Sequence, residues 1–286
     1  GAKLPDLEWI REIREVDPDD VALLASPSTT TSSLLGLRAE GSVFGFGRVE
    51  GLEPLQMQSD GAYLLSSPAI KLTEGGSLVG EVKSTASGPV KQIRPLRTAV
   101  LALQEDGQVI TLGKAGKQLE LAHVVQIEAS GRDTAAALHE NGTLTRISMV
   151  GREPTATSMG EQTYRGLISE DFAIDAEGKL ANLAPEDEMV ASLGRLLGSE
   201  DPLQLESIDR QHSWTLVRRR DRSWRVFVCD RATKFELREL NNGLAEALRG
   251  ATVAFGQDLE QKERLDAVIC VIPDEFRDNA QCWIDG

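Results

Sequence analysis

Five short segments of this chain repeat one arrangement of apolar residues around a glycine, and that recurrence limits the folds open to it. They are Gly36–Val43, Lys71–Leu78, Ala102–Val109, Ala137–Leu144 and Ala173–Leu180. In each, Leu or Ile stands four residues before the glycine, and Val or Leu stands two after it. Asp106-Gly107 and Asn141-Gly142 between apolar runs are strong hairpin signals, because such turns need residues that accept positive φ. The glycines at 41, 76, 107, 142 and 178 are spaced by 35, 31, 35 and 36 residues. A steady period of this size marks a solenoid, a propeller or an array of like units.

The unit has a third part. Val90-Lys91-Gln92-Ile93 and Val124-Val125-Gln126-Ile127 lie upstream of two of the hairpins. Each repeat then reads strand, polar turn, strand, Asp-Gly-type turn, strand. Short strands with little helix favour a propeller blade over ankyrin, tetratricopeptide or leucine-rich units. A sixth unit is expected at Ile208, Trp214–Val217 and Trp224–Val228, with Arg218–Ser223 as a longer turn. After Ala251–Phe255, a seventh hairpin is expected from Ala267–Ile272, a turn through Asp278-Asn279 and a strand at Gln281–Ile284. Met189, Val190, Leu193, Leu196 and Leu197 recur at helical spacing, which predicts an inserted helix over 186–198. A second short helix is expected over Leu244–Leu248. Residues 4–16 fit either a helix or a strand, and 1–20 are expected to close the last blade as part of a single domain over 1–286. Closure matters because an open row of blades leaves two apolar ends uncovered.

This order of strands and turns resembles the RCC1-like propeller family over residues 20–285, most closely around Gly107 and Gly142. In repeat length it is similar to the seven-bladed propeller of the secreted β-lactamase inhibitor protein II type. The resemblance implies an all-β, seven-bladed β-propeller with three-stranded or four-stranded blades and one or two short inserted helices. Phe46-Gly47 and Gln211-His212-Ser213 match further family marks. Arg97-Thr98, Arg132-Asp133 and Ser169-Glu170 depart from the His that the family often has before its second strand. The fold therefore carries over, whereas the family's exchange and inhibitor roles do not.

Composition narrows the function classes. The net charge of −14 argues against general nucleic-acid binding, which needs a basic face. It fits a soluble protein or one that meets a basic partner. The longest apolar run, Ala267–Ile272, is strand-sized and too short to span a membrane. Three scattered cysteines are neither a disulfide framework nor a zinc set. Cys270 and Cys282 sit on the proposed strands of the last hairpin, either as a bridge or as free thiols. The chain begins Gly1-Ala2-Lys3, which fits a processed form, a secreted or periplasmic one, as well as a truncation.

Counting back nine or ten residues from each glycine, with a one-residue gap before Gly178, places one polar pair per unit on a common rim. The rim residues are Ser32, Ser67, Arg97, Arg132, Asp133, Glu170 and, in the sixth unit, His212. Loops on a rigid scaffold carry recognition, so these are the expected contacts for a protein or peptide partner, with the chain itself a monomer. No cofactor or metal is expected: His123, His139 and His212 show no ligand spacing, and Ser213 lacks a Gly-x-Ser-x-Gly elbow. Gly113–Lys117 lacks phosphate-loop spacing, and Asn141-Gly142-Thr143, although a glycosylation sequon, is explained by its turn. Arg218–Arg225 is the one basic cluster, read as an exposed tip of alternating charge. Non-catalytic binding at the rim is the leading function. The alternatives are a lyase or hydrolase at the axial channel, with His212 and Glu170 as the pair to test, and a structural or sensor domain of a longer chain.

Overall fold

The structure is a computed structural model. It describes residues 21–25, 33–38, 41, 43–47, 58–59, 64–65, 78–81, 89–96, 99–112, 118–129, 133–150, 153–211, 214–230, 236–239, 244–258 and 265–271. These form six antiparallel sheets. The first holds β1 (Val21–Ala25), β2 (Ser33–Arg38) and β3 (Val43–Gly47). The short β4 (Gln58–Ser59) and β5 (Leu64–Leu65) follow, then β6 (Leu78–Glu81), which pairs with both β3 and β4. The second sheet is β7 (Val90–Pro95), β8 (Val100–Gln104), β9 (Val109–Leu112) and β10 (Gln118–Leu119). The third is β11 (Val124–Glu128), β12 (Thr134–His139), β13 (Leu144–Val150) and β14 (Glu153–Ser158). The fourth is β15 (Tyr164–Leu167), β16 (Phe172–Asp175) and β17 (Leu180–Asn182), followed by helix α1 (Glu188–Leu197). The fifth is β18 (Leu205–Gln211), β19 (Trp214–Arg219), β20 (Trp224–Asp230) and β21 (Glu236–Glu239). Helix α2 (Leu244–Ala247) leads to β22 (Thr252–Asp258) and β23 (Leu265–Val271), which pair with β5 as the sixth sheet. Both helices stand where they are expected, α1 from its apolar spacing.

Each sheet is sandwiched between two others, so its side chains alternate between neighbours. In β12, Ala135 and Ala137 pack towards Leu101, Leu103 and Val109 of the second sheet. Ala136 and Leu138, one residue out of phase, pack with Leu167 and Ala173 of the fourth. Such a strand reads as a continuous apolar run because both of its faces are buried.

The glycine turns join consecutive sheets. Gly107 has φ +80 and accepts a hydrogen bond from the Val124 N–H, the first residue of the next sheet, at 3.1 Å. Gly41 accepts from Val90 at 3.1 Å, Gly142 from Tyr164 at 2.8 Å and Arg222 from Gly250 at 3.0 Å. Inner strands β1, β7, β11 and β15 therefore follow one another side by side, and β22 lies against β1. This is an all-β propeller whose sheets have three or four strands, apart from the first, which has five.

Where the repeat predicts seven units, the described residues form six sheets. The Gly41 turn docks directly on Val90, and the described strands between them belong to the first and sixth sheets: β6, just after Gly76, is an added strand of the first. The remainder of the Gly76 hairpin, residues 1–20 and Gln281–Ile284 lie outside the described residues. Ala267–Val271 is a strand where the last hairpin predicts one, and it is the second strand of its sheet, paired with β22; that sheet is the sixth among the described residues. The sixth expected turn also differs. Arg218 and Arg219 belong to β19, and the bonds from Arg219 N to Ser223 O and from Arg222 N to Arg219 O reproduce the glycine turns, with Arg222 at φ +65.

Candidate functional site

Five of the six inner strands carry the same irregularity. The register slips by one residue after Val21, Val90, Val124, Tyr164 and Leu205. A bulge at a fixed place re-aims the residues that follow it in the same way in every blade. The first residues after the slip include Gln92, Gln126 and Ser207, and two positions further on come Arg94, Glu128, Ile168 and Asp209.

The two glutamines stitch neighbouring blades. Gln92 Oε1 accepts the Ile127 N–H at 2.9 Å, and Gln126 Oε1 accepts the Leu167 N–H at 2.9 Å. Gln126 Nε2 also donates to the Leu167 carbonyl at 2.7 Å, so one side chain satisfies both peptide groups of a neighbouring residue. Gln92 Nε2 and Gln126 Nε2 both reach Glu128 Oε1, at 3.2 and 3.0 Å. Arg94 completes the cluster, donating from Nε to Glu128 Oε2 at 2.6 Å and from Nη2 to Oε1 at 3.0 Å. Both side chains of this bidentate pair are largely buried.

Asp209 brings a third charge to the same region from the fifth sheet. Burial pushes its carboxyl up to about 6; Arg94 opposes that rise and the Glu128 carboxylate adds to it. Arg218 and a 3.4 Å hydrogen bond from Ser207 oppose it further. Arg94 loses solvation on burial, yet Glu128 holds its pKa above the ordinary arginine value. Groups from three different blades thus feel one another across the axis, and Arg94 and Glu128 neutralise each other there.

Of the expected rim residues, Asp133 and Glu170 are described. Asp133 is half-buried and its carbonyl accepts the Met149 N–H at 2.7 Å. Glu170 is buried in the turn between β15 and β16. Beside it, Asp171 accepts a 2.6 Å hydrogen bond from Arg210 Nη2, which also lies 3.6 Å from Asp187. Ser32, Ser67, Arg97, Arg132 and His212 lie outside the described residues.

The basic cluster is paired. Arg218 meets Glu206 at 3.2 Å and lies 5.7 Å above the Trp224 ring. Arg219 bonds to Glu200 at 3.1 Å, and Arg225 bridges Glu200 and Glu239. The hydrogen bonds from Arg225 hold the Glu239 carboxyl below its ordinary range. Other sequence features resolve as structural. Asn141 Oδ1 accepts both the N–H and the hydroxyl of Thr143, closing its turn. His139 is held between the Ala122 carbonyl and Thr145 Oγ1. Cys270 lies on β23 opposite Val253, whereas Gly113–Lys117 and Cys282 are outside the described residues.

Sequence reasoning missed the axial groups. The signal was present: Arg94, Glu128 and Asp209 each follow the Ile of an inner strand, and a charge inside such a strand needs a buried partner.

No protein-family model matches the chain, and no curated protein matches it in sequence. Solved structures with a similar course include propellers. Prp20p of Saccharomyces cerevisiae, studied for its binding to Gsp1p and histones, is 12% identical, with 93% of this chain and 72% of that chain covered and a TM-score of 0.48. Human WBSCR16 is 14% identical over 85% of this chain and 70% of that one, with a TM-score of 0.45. The Cps50 (Swd1) β-propeller domain of Myceliophteria thermophila is 11% identical over 82% and 80%, with a TM-score of 0.43. No helix among the described residues is long and apolar enough to cross a membrane.

Proposed function

We propose that the chain is a non-catalytic, protein- or peptide-binding propeller of the RCC1-like kind, which uses the turns that follow its inner strands. One observation carries this. The bulge falls at the same place in β7, β11, β15 and β18, which supports connections that leave from one side of the ring. Blades tied by peptide-to-glutamine bonds hold those turns at fixed spacing, which is what a recognition surface requires. Arg97, Arg132, Asp133 and His212 would supply its charge, and Ser32 and Ser67 its neutral flank.

The test is affinity capture from the native source with the wild-type chain and with an Arg97→Ala/Arg132→Ala variant of unchanged melting temperature. A partner retained by the first and lost by the second is the expected result. Capture that survives both substitutions removes the rim from the proposal. An active site at the axial channel draws on one feature, the raised Asp209 carboxyl beside a charged pair. It is the weaker reading, because the Arg94 and Glu128 side chains are engaged with each other.

A further inference from the structure

The fourth sheet ends one strand early, and its open edge has a defined hydrogen-bonding pattern. Asp175 N donates to Lys179 O and Leu183 N donates to Asp171 O, at 2.9 and 2.8 Å. Between these two bonds the register runs Ile174 opposite Leu180, Ala173 opposite Ala181 and Phe172 opposite Asn182. Antiparallel pairs alternate between bonded and non-bonded, so Ala181 turns its peptide groups inward to β16. Leu180 and Asn182 turn theirs outward.

The third sheet shows what those positions do when a strand is present. Leu144 and Arg146 stand two and four residues after Gly142, as Leu180 and Asn182 do after Gly178. There β14 occupies the edge: Met159 N donates to Leu144 O at 2.9 Å, and Arg146 stands opposite Thr157. In the fourth sheet the chain turns into α1 instead. That helix packs its apolar face with Phe172 and Ile174 into the core between the fourth and fifth sheets. Among the described residues, the outward peptide groups of Leu180 and Asn182 have no hydrogen-bond partner.

The edge is bracketed by negative charge. Glu177 is exposed in the turn before β17, and Glu186 and Glu188 are exposed after it. None of the three forms an ion pair among the described residues, and Lys179 is the one cation in the interval 175–188.

We propose that β17 is a docking edge for a short extended peptide segment with Lys or Arg at both ends, which adds as the fourth strand of this blade. Two outward residues, spaced by two, offer a strand-length set of backbone bonds, and the carboxylates at either end select a basic occupant. The site extends the binding reading to a surface on the outer circumference, separate from the rim.

The experiment uses the full chain and two labelled ten-residue peptides of alternating Val and Thr, one ending in Lys at both termini and one in Glu. Fluorescence anisotropy should give binding of the Lys-ended peptide at least tenfold tighter than that of the Glu-ended one. Amide exchange should show Leu180 and Asn182 exchanging fast in the free chain, Ala181 already protected, and slowing at least tenfold at both outward positions with the Lys-ended peptide bound. Glu177→Lys/Glu186→Lys, two exposed changes, should reverse the peptide preference. Leu180→Pro, which removes an outward N–H, should weaken binding at least fivefold. Equal binding of the two peptides, absence of binding, or binding without protection at Leu180 and Asn182 overturns the proposal. Arg97→Ala/Arg132→Ala should leave peptide binding unchanged, so that the rim and the edge can fail separately.

Discussion

The boundary between the second and third sheets and that between the fourth and fifth are built on opposite plans. At the first, Gly107 lies against the next blade: a Cβ there would sit 3.2 Å from the Val124 carbonyl and 3.3 Å from His123 Cα. At the second, the equivalent Gly178 keeps φ +83, yet a Cβ would meet nothing within 4 Å. Helix α1 fills that boundary, burying Val190, Leu193 and Leu197 against residues of both sheets. Asp187 caps it, accepting from Met189 N and Val190 N, and its carboxylate lies within 3.6 Å of Arg210. Backbone docking gives a tight, repeatable joint. Helix insertion gives a joint with the same apolar filling but a free turn and an unpaired strand edge.

This contrast can be broken most forcefully at the axis of the first boundary. Glu128→Ala leaves Arg94 buried without its carboxylate, and stability should fall by about 3–5 kcal/mol in chemical denaturation. A smaller effect would mean that water replaces the carboxylate and that the axis is open. The glycines give the sharpest pairwise test. Both Gly107→Ala and Gly178→Ala carry the positive-φ cost of about 1–2 kcal/mol. Gly107→Ala should lose roughly a further 1–3 kcal/mol from crowding against Val124 and His123. Equal losses would mean that the fourth and fifth sheets meet at Gly178 after all. Asp187→Ala should cost about 1 kcal/mol through loss of the helix cap, with amide exchange of α1 rising before that of β11 and β12.

A further test is a matter of pH. Asp209 is raised to about 6 from an ordinary value near 4, so the folded chain holds that proton more tightly than the unfolded one. Its stabilising contribution is complete below the unfolded value and is lost as pH climbs through 6. Asp209→Asn should therefore become more stable relative to wild type between pH 4.5 and pH 7, followed as the urea midpoint of each. A difference that is flat across that range would place the carboxyl in water.

Much of the architecture was legible because its causes are local. Asp106-Gly107 and Asn141-Gly142 announce their turns through φ +80 and +84, and α1 follows from apolar spacing. Legibility failed where the same geometry is made by other residues. Arg222 takes the left-handed position of a glycine, so the turn of the fifth sheet is hidden and its arginines look like a long basic loop. The Gly76 segment failed in the opposite sense: the spacing fits a blade, but β6 is recruited to the outside of the first sheet by β3, which no local signal encodes. Ser169-Glu170 do lie in the turn between β15 and β16, whereas the burial of Glu170 depends on packing around the next blade. The charges at Arg94, Glu128 and Asp209 become intelligible only once the bulges align three strands that are far apart in sequence.

The glutamine stitch has a consequence for how such a chain can arise and be rebuilt. Gln126 recognises the peptide N–H and carbonyl of Leu167, groups that every residue except proline offers, rather than anything particular to the Leu167 side chain. A unit carrying this glutamine is compatible with any successor of the same backbone. Duplication of a unit, or exchange of one unit for another, then needs no matching change in its neighbour at the axis. Specific pairing is added beside that generic bond where charges meet, as Arg94 meets Glu128 next to the Gln92–Ile127 bond.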